Sequence, residues 1–203
     1  MIIFIAAKSI SKRIPRKNLQ TLAHGYSLLS WTIENWKGMY LASQIVVATE
    51  DEETKTLVAS MGCSHYDLTD ADIHDRRTAS LLLQEFTGRT TERPIILTEC
   101  TAPFTFYRDV RMALEMPDDV IRSGVVTIRH REPYKMSQDI EPDVSVTGNF
   151  IIVRGDISQG EEWGVPKCIY PVNQISAINI DTPEDLEMAR WLAQRITLND
   201  LRN

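Results

Sequence analysis

The sequence predicts an α/β fold: a three-layer α/β/α arrangement around a mainly parallel, Rossmann-like sheet. Short apolar runs, rich in Ile and Val and mostly continuous, recur along the chain. Such runs are typical of strands buried on both faces. Helical patterns lie between them, and this alternation favours a parallel sheet covered by helices on both sides.

The elements follow from these patterns in chain order. Strands are predicted at residues 2–7, 45–48, 95–97, 125–128, 150–153 and 175–180. Helices are predicted at residues 27–36, 52–61, 78–86, 108–116 and 183–196, the last with Leu186, Ala189, Ala193 and Ile196 on one face. Residues 130–171 hold six Pro or Gly before Pro166, so they are predicted to form a short loop-rich insertion with one strand, with a hairpin as an option.

Length, charge, cysteine content and the N-terminal segment limit the classes of protein to which this chain can belong. A chain of 203 residues favours one domain, 1–203, with a core large enough to need no staple. The net charge of −6 disfavours a protein that coats nucleic acid by bulk positive charge. Three separated cysteines without a CxxC pair disfavour a disulfide framework or a structural zinc site. The N-terminal charge follows the apolar run, the reverse of a signal peptide, so a cytoplasmic protein is expected.

The segment after the first strand is strongly basic, although the protein is acidic. Five of the ten residues from 8 to 17 are Lys or Arg, against 22 of 203 in the whole chain. Because ligands of parallel sheets bind beyond the carboxyl ends of the strands, this segment is placed to bind a polyanion. It contains neither the GxxxxGK[ST] phosphate loop nor the GxGxxG dinucleotide motif. A solvated basic loop is the alternative that composition leaves open.

A more specific resemblance lies in the residues themselves. The run IAAKSISKRIPRKN at residues 5–18 resembles the opening motif of the CMP-sugar synthetases, the acylneuraminate cytidylyltransferase family. VVATEDEE at residues 46–53 is similar to the family's second-strand motif. TAPF at residues 101–104 and GNF at residues 148–150 resemble its pseudaminic acid branch.

The resemblance implies a fold of the nucleotide-diphospho-sugar transferase type and a set of binding residues. Triphosphate ligands are implied at Lys8, Ser11, Lys12, Lys17 and Asn18, alongside Ala6 and Ala7 in the nucleotide site and Ser80 at the base or ribose. Thr101, Asn149 and Phe150 are implied near the acidic sugar. The family usually dimerises through an inserted segment, which implies a homodimer through residues 130–148.

A second motif precedes the last predicted helix. NIDTPED at residues 179–185 offers Thr182 as N-cap, Pro183 at the first helical position and Asp185 three residues after the cap. Asp181 precedes the cap at the end of a predicted strand, and the resemblance implies that it holds Mg²⁺ against the triphosphate. Glu99, at the end of another strand, is a candidate second carboxylate, since Mg²⁺ prefers one or two carboxylates with phosphate oxygens and water.

The resemblance implies a Mg²⁺-dependent cytidylyltransferase. CTP and a nonulosonic sugar, an acidic nine-carbon sugar such as sialic or pseudaminic acid, would give CMP-sugar and pyrophosphate. Lys8, Lys17 and Asp181 are the predicted catalytic residues, because they would neutralise the charge of the transferring phosphoryl group and of the pyrophosphate.

Two alternatives remain open at this stage. Ile10, Thr69 and Asn179 depart from the family pattern, which would suit a diverged, non-catalytic nucleotide-binding module. A nucleotidyltransferase of the same fold with another acceptor or another base is the second alternative.

Cys100 lies next to the predicted site and is a candidate nucleophile. A small packing residue is the favoured interpretation, because no histidine is adjacent in sequence.

Overall fold

A seven-stranded sheet forms the centre of the computed structural model, which describes residues 1–69, 72, 79–118, 120–130, 140–155 and 169–203. For residues 80, 120, 122–130 and 140–148 only the backbone is described. The sheet strands are β1 (Ile2–Ala6), β4 (Ile45–Thr49), β5 (Ser64–Asp67), β6 (Ile95–Glu99), β7 (Val120–His130), β8 (Ile140–Val153) and β9 (Ile169–Pro171). A short hairpin of β2 (Thr21–Ala23) and β3 (Tyr26–Ser27) lies outside it.

The strand order is β5-β4-β1-β6-β8-β7-β9. The first four strands run parallel, so their carboxyl ends meet at one edge of the sheet. Strand β8 is antiparallel to both β6 and β7, and β9 runs parallel to β7. The prediction of a mainly parallel sheet is therefore confirmed, with one antiparallel strand inserted beside β6.

Helices cover both faces of this sheet. They are α1 (Leu28–Lys37), α2 (Glu52–Ser60), α3 (Ala79–Thr87), α4 (Tyr107–Leu114), α5 (Pro183–Ala193) and α6 (Leu198–Arg202), with 3₁₀ turns at Lys17–Leu19 and Ala42–Gln44. Within the described part of the chain, no helix combines the length and the apolar character that a membrane span requires.

The side chains of β1 show why both faces need cover. Ile3 and Ile5 belong to the cluster that packs under α1, α2 and α4. Phe4 points the opposite way and packs with Phe86 of α3, their ring centroids 4.5 Å apart. Alternate residues of a strand face opposite sides of a sheet, so a continuous apolar run buries both.

A second core lies on the far side of α1. Leu28 and Trp31 of that helix pack with Leu186 and Ala189 of α5 and with Leu201 of α6. The Nε1–H of Trp31 donates to the carbonyl of Pro103 at 3.1 Å. Helix α1 is thus buried on two sides, and α5 and α6 form an outer layer against it. The segment before α5 lies at the sheet's carboxyl edge, where the Ile180 amide donates to the carbonyl of Thr101 at 2.8 Å.

The segment 175–180 is not the strand that its apolar residues predict. It forms turns, in which the Ser176 amide donates to Asn173 Oδ1 at 2.9 Å and the Ile178 amide to the Ile175 carbonyl at 3.2 Å. Its isoleucines pack into the second core. The apolar residues of this segment are therefore buried between helices. A short apolar run in the sequence does not distinguish this burial from burial in a sheet.

Where the structure describes it, the predicted loop-rich insertion contains the hairpin that the sequence allows as an option, with more strand than its Pro and Gly suggest. Strand β8 spans 14 residues and pairs with β7 from Val120–Val153 to His130–Ile140. A shift in register between Arg122 and Gly124 divides this hairpin in two. Its first part lies beside β6, and residues 124–130 with 140–146 extend past that strand as a two-stranded ribbon. Pro142 and Gly148 suggested loop, yet both lie within the strand; residues 131–139 and 156–168 lie outside the described residues.

A tight turn between β2 and β3 gives a test of the fold. His24 and Gly25 form a two-residue turn and both have positive φ, 51° and 80°, as in a type I′ hairpin turn. Gly25→Ala is expected to lower the free energy of unfolding by about 1 kcal/mol, because a side chain disfavours positive φ. No atom lies within 4 Å of the added Cβ, so the effect comes from the backbone alone.

Urea unfolding measures this difference. Gly155→Ala is the matched control, since its added Cβ also meets nothing within 4 Å and no positive φ is found there. Equal stability of the two variants would contradict the explanation.

Candidate active site

The basic segment, here called the basic loop (residues 8–18), starts where β1 ends. The amide and the hydroxyl of Ser9 both donate to Glu50 Oε1, at 2.8 and 2.5 Å, which fixes the start of the loop to the end of β4. The ammonium of Lys8 donates to the carbonyl of Asp72 at 2.5 Å. The loop is therefore anchored at its base by neighbouring segments of the carboxyl edge.

The far end of the loop returns through a left-handed residue. Arg16 has a φ of 52° and precedes the 3₁₀ turn that carries Lys17 and Asn18. Its guanidinium pairs with Glu53 of α2. Arg16 thus does not line the space enclosed by the loop, whereas Lys17 and Asn18 do.

That space is a cleft of about 260 Å³ at the carboxyl edge of the sheet. Its lining consists of one face of the basic loop and a single carboxylate: Lys8, Ile10, Ser11, Lys12, Arg13, Lys17, Asn18 and Asp181. Four basic side chains and one acidic side chain share it, so the cleft is suited to a ligand with several negative charges. The two sequence motifs, 168 residues apart at Arg13 and Asp181, therefore meet in one place.

Asp181 lies at the meeting point of several polar groups. Its Oδ1 lies 3.4 Å from Arg13 Nη2 and 3.6 Å from Lys17 Nζ. Its Oδ2 accepts from Asn179 Nδ2 at 3.1 Å. Lys17 also donates to the carbonyl of Ile180 at 2.7 Å, which ties the basic loop to the segment before α5.

The rest of the acidic motif caps α5, as its spacing predicts. Thr182 Oγ1 accepts from the amide of Asp185, and Asp185 Oδ2 accepts from the amides of Asp181 and Thr182 at 2.9 and 2.8 Å. These backbone donors, that of Asp181 first, lower the pKa of the Asp185 carboxyl. Asp185 is thus structural, whereas the Asp181 side chain lies outside the cap and is left for the cleft.

Glu99 lies at the end of β6 and is partly buried. Burial raises the pKa of its carboxyl, and nearby Asp181 acts in the same direction, while a hydrogen bond from Thr101 and the charge of Lys17 oppose the rise. Thr101 Oγ1 donates to Glu99 Oε2 at 3.3 Å. Glu99, Lys17 and Asp181 are therefore close enough to influence one another's charge.

Magnesium is the metal that the sequence predicts, and the donors present fit it. In the described ranges, no three His, Cys, Asp or Glu side chains gather as metal ligands. Mg²⁺ does not need three, because phosphate oxygens and water complete its shell. The carboxylates of Asp181 and Glu99 are hard oxygen donors at the same edge, so they would hold the ion together with the phosphates.

Asn18 and Cys100 form a buried contact behind the cleft. Asn18 Nδ2 donates to the carbonyl of Lys8 at 2.7 Å, and Cys100 Sγ donates to Asn18 Oδ1 at 3.1 Å. Burial raises the pKa of the Cys100 thiol to about 12, so it stays protonated. This agrees with the sequence-based interpretation of Cys100 as a packing residue and not a nucleophile.

The remaining predicted residues occupy different surroundings. Ala6 ends β1, Ala7 is fully buried, and Ser80 lies on α3 with only its backbone described. Asn149 and Phe150 are completely buried, and Asn149 Nδ2 donates to Thr105 Oγ1 at 3.2 Å. Neither presents a surface to a ligand in this structure, and their sugar-binding role stays a prediction.

Two residues of the site were not among those predicted. Arg13 lines the cleft and faces Asp181, although the family motif alone did not single it out from the other basic residues. Glu50 holds Ser9. Its signals in the sequence were its position directly after a buried strand and its place in the family-like segment at residues 46–53.

Comparisons with known proteins agree with this fold. The sequence profile of a family described as cytidylyltransferase matches residues 2–147. No curated protein matches the chain significantly. A solved CMP:2-keto-3-deoxy-manno-octonic acid synthetase complexed with CTP is 18% identical, with a TM-score of 0.74 over 96% of this chain and 98% of its own.

Two further structures share the fold. A cytidylyltransferase from Leptospira borgpetersenii is 14% identical, with a TM-score of 0.66 over 99% of this chain and 89% of its own. A 4-diphosphocytidyl-2C-methyl-D-erythritol synthase from Anaerococcus prevotii is 11% identical, with a TM-score of 0.61 over 96% of both chains.

The raised pKa of Glu99 predicts how stability depends on pH. The folded protein binds the Glu99 proton more tightly than the unfolded chain, so this group makes the protein less stable as pH rises above its ordinary pKa of 4.5. Glu99→Gln removes the ionisation and keeps an acceptor for Thr101. The variant is therefore expected to be more stable than the original protein at pH 7, and the difference is expected to shrink towards pH 4.5.

Urea unfolding of both proteins across this pH range checks the expectation. A stability difference that does not change with pH would show that Glu99 has no raised pKa.

Proposed function

Because the chain belongs to the cytidylyltransferase family, we propose that it activates an acidic sugar with CTP, giving CMP-sugar and pyrophosphate. The observation that carries this proposal is the convergence of the basic loop and Asp181 on one cleft. A nucleoside triphosphate carries the several negative charges that four basic side chains neutralise. The proposed acceptor is a nonulosonic sugar, related in its acid group to the octonic acid named for the similar synthetase.

In the proposed reaction a hydroxyl oxygen of the sugar attacks the α-phosphorus of CTP. The bond from that phosphorus to the bridging oxygen of the β-phosphate breaks, pyrophosphate leaves, and the hydroxyl proton passes to water. Phosphoryl transfer asks little covalent chemistry of a protein, so the enzyme acts by holding the reactants and stabilising charge.

The basic side chains of the cleft have different roles in this proposal. Lys17 is held by the carbonyl of Ile180, which orients its ammonium beside Asp181. Lys8 is held in a similar way by the carbonyl of Asp72. Lys12 and Arg13 are exposed, so they are free to follow the phosphates as the ligand enters. Fixed donors pre-organise the site, because their orientation costs nothing further during the reaction.

Bound Mg²⁺ would supply further positive charge to the phosphates of the nucleotide. Asp181 and Glu99 would be its protein ligands. In the structure Asp181 Oδ1 faces Arg13 and Lys17. The proposal requires the exposed Arg13 to turn towards the phosphates when the ion binds, while Lys17 stays held by the carbonyl of Ile180. The same two cations hold the carboxylate in its orientation in the absence of nucleotide.

Pyrophosphate release tests the reaction directly. We expect release with CTP, Mg²⁺ and a nonulosonic acid, and little release when the sugar is omitted. The sugar panel should include sialic acid, pseudaminic acid and the eight-carbon 2-keto-3-deoxy-manno-octonic acid. Absence of release with the whole panel would favour a non-catalytic nucleotide-binding module, and release with another acceptor alone would correct the sugar class.

A thermal-shift measurement tests which nucleotide the protein prefers. CTP is expected to raise the melting temperature of the protein more than ATP, GTP or UTP at equal concentration, because only a bound ligand stabilises the folded state. A larger shift with another nucleotide would overturn the assignment to CTP.

Replacing Asp181 separates catalysis from folding. Asp181→Ala is expected to lower kcat/KM at least about a hundred-fold, because it removes the carboxylate that would hold the ion, with little change in melting temperature, since the cap of α5 uses only the Asp181 backbone. Asp67→Ala is the matched control: this exposed aspartate also pairs with a lysine, Lys55, but lies on β5 and does not line the cleft. Retained activity in Asp181→Ala would contradict the metal assignment.

A further inference from the structure

The side-chain amide of Asn18 can adopt only one of its two orientations. Its Nδ2 lies 2.7 Å from the carbonyl oxygen of Lys8, a pure acceptor, so this end must be the NH₂ group. The Oδ1 end then faces Cys100 Sγ at 3.1 Å, where the thiol is the donor. Each end of a buried amide thus meets the chemistry it needs.

This contact closes the basic loop at its base. Lys8 is the first residue of the loop and Asn18 the last, and the Asn18 amide joins them. Cys100 directly follows β6, so its thiol ties the closed loop to a third strand of the parallel sheet, beside the β4 attachment through Glu50 and Ser9. We call the contact of Cys100, Asn18 and Lys8 the loop brace.

We propose that Cys100 is a positioning residue for the nucleotide: through the loop brace it fixes the Asn18 amide and the first turn of the basic loop in the conformation that binds phosphates. This inference rests on the proposed function for the ligand, but the brace itself does not. Cys100 is 1% exposed and does not line the cleft, so it acts through Asn18 and not by touching the ligand.

The orientation of the amide matters because Asn18 lines a cleft for an anion. A rotated amide would place its carbonyl oxygen beside the Lys8 carbonyl, and two acceptors repel each other. Without the thiol, Oδ1 would be a buried acceptor with no donor on that side. The free-energy difference between the structured loop and a rearranged loop would therefore be smaller. The thiol of Cys100 disfavours both the rotated amide and the rearranged loop, and it stays outside the cleft.

Two substitutions at Cys100 separate the hydrogen bond from packing. Cys100→Ala removes the donor, and Cys100→Ser keeps a donor of nearly the same size. Cys63→Ala is the matched control, because Cys63 is also a buried free thiol but lies near Met61, away from the basic loop. It measures the effect of losing one buried sulfur without losing the brace.

Amide hydrogen exchange in the ligand-free protein reads the loop directly. The amides of Ser9, Leu19 and Gln20 hydrogen-bond in the structure, so a peptide that spans them reports loop opening. In Cys100→Ala this peptide should exchange about five-fold faster, the equivalent of one hydrogen bond. Cys100→Ser and Cys63→Ala should exchange like the original protein. Unchanged exchange in Cys100→Ala, or an equal acceleration in Cys63→Ala, overturns the loop brace.

Titration calorimetry with CTP and Mg²⁺, followed by steady-state kinetics, tests the consequence for the ligand. Cys100→Ala should bind CTP about five-fold more weakly and raise the KM for CTP with a smaller change in kcat, whereas Cys100→Ser restores both. Faster loop exchange with unchanged CTP affinity would overturn the positioning role. If the original protein binds no CTP, the proposed function fails, and the exchange data alone then decide the loop brace.

Discussion

The attraction between the basic loop and Asp181 is the interaction on which the candidate site depends. Four basic side chains, Lys8, Lys12, Arg13 and Lys17, surround one cleft in a protein with a net charge of −6. Their mutual repulsion would open the loop if nothing opposed it. Asp181 opposes it from within the cleft, and Glu53 holds Arg16 outside. The site is therefore an arrangement of fixed positive charge with one built-in counter-charge, which a polyanionic ligand can replace.

The fold places these charges together through the direction of its strands. The parallel strands β4, β1 and β6 end at one edge, and the residues that follow them supply Glu50, the basic loop and the end of β6 with Glu99. Asp181 reaches the same edge through the segment that precedes α5, which Lys17 holds by its hydrogen bond to the carbonyl of Ile180. Residues from different elements thus form one site, because their strands end, or the next helix begins, at the same edge of the sheet.

The sequence predicted most of this arrangement because its strongest signals are local. Continuous Ile and Val runs identify β1, β4 and β6, and the spacing of Thr182, Pro183 and Asp185 identifies the start of α5. The basic loop and Asp181 were recognised from their composition and motif. Their meeting was implied by the family resemblance, since the strand predicted directly before Asp181 is a turn-forming segment in the structure.

Other features could not be predicted, because they depend on contacts distant in sequence. Nothing local distinguishes residues 175–180, buried between helices, from a strand, and the pairing of β7 and β8 outweighs Pro142 and Gly148. Equally, the role of Glu50 and the contact of Cys100 with Asn18 arise only when separate strands lie side by side. Such contacts carry no sequence period, so they become visible only in three dimensions.

The hydrogen bond from Lys17 to the carbonyl of Ile180 spans 163 residues of chain. During synthesis the basic loop leaves the ribosome long before its counter-charge, Asp181, does. Contacts of such long separation form late, because a long stretch of chain must be ordered before the two ends meet. Over that stretch of synthesis the four basic side chains of the cleft therefore lack Asp181, and the cleft is completed only when the segment before α5 docks.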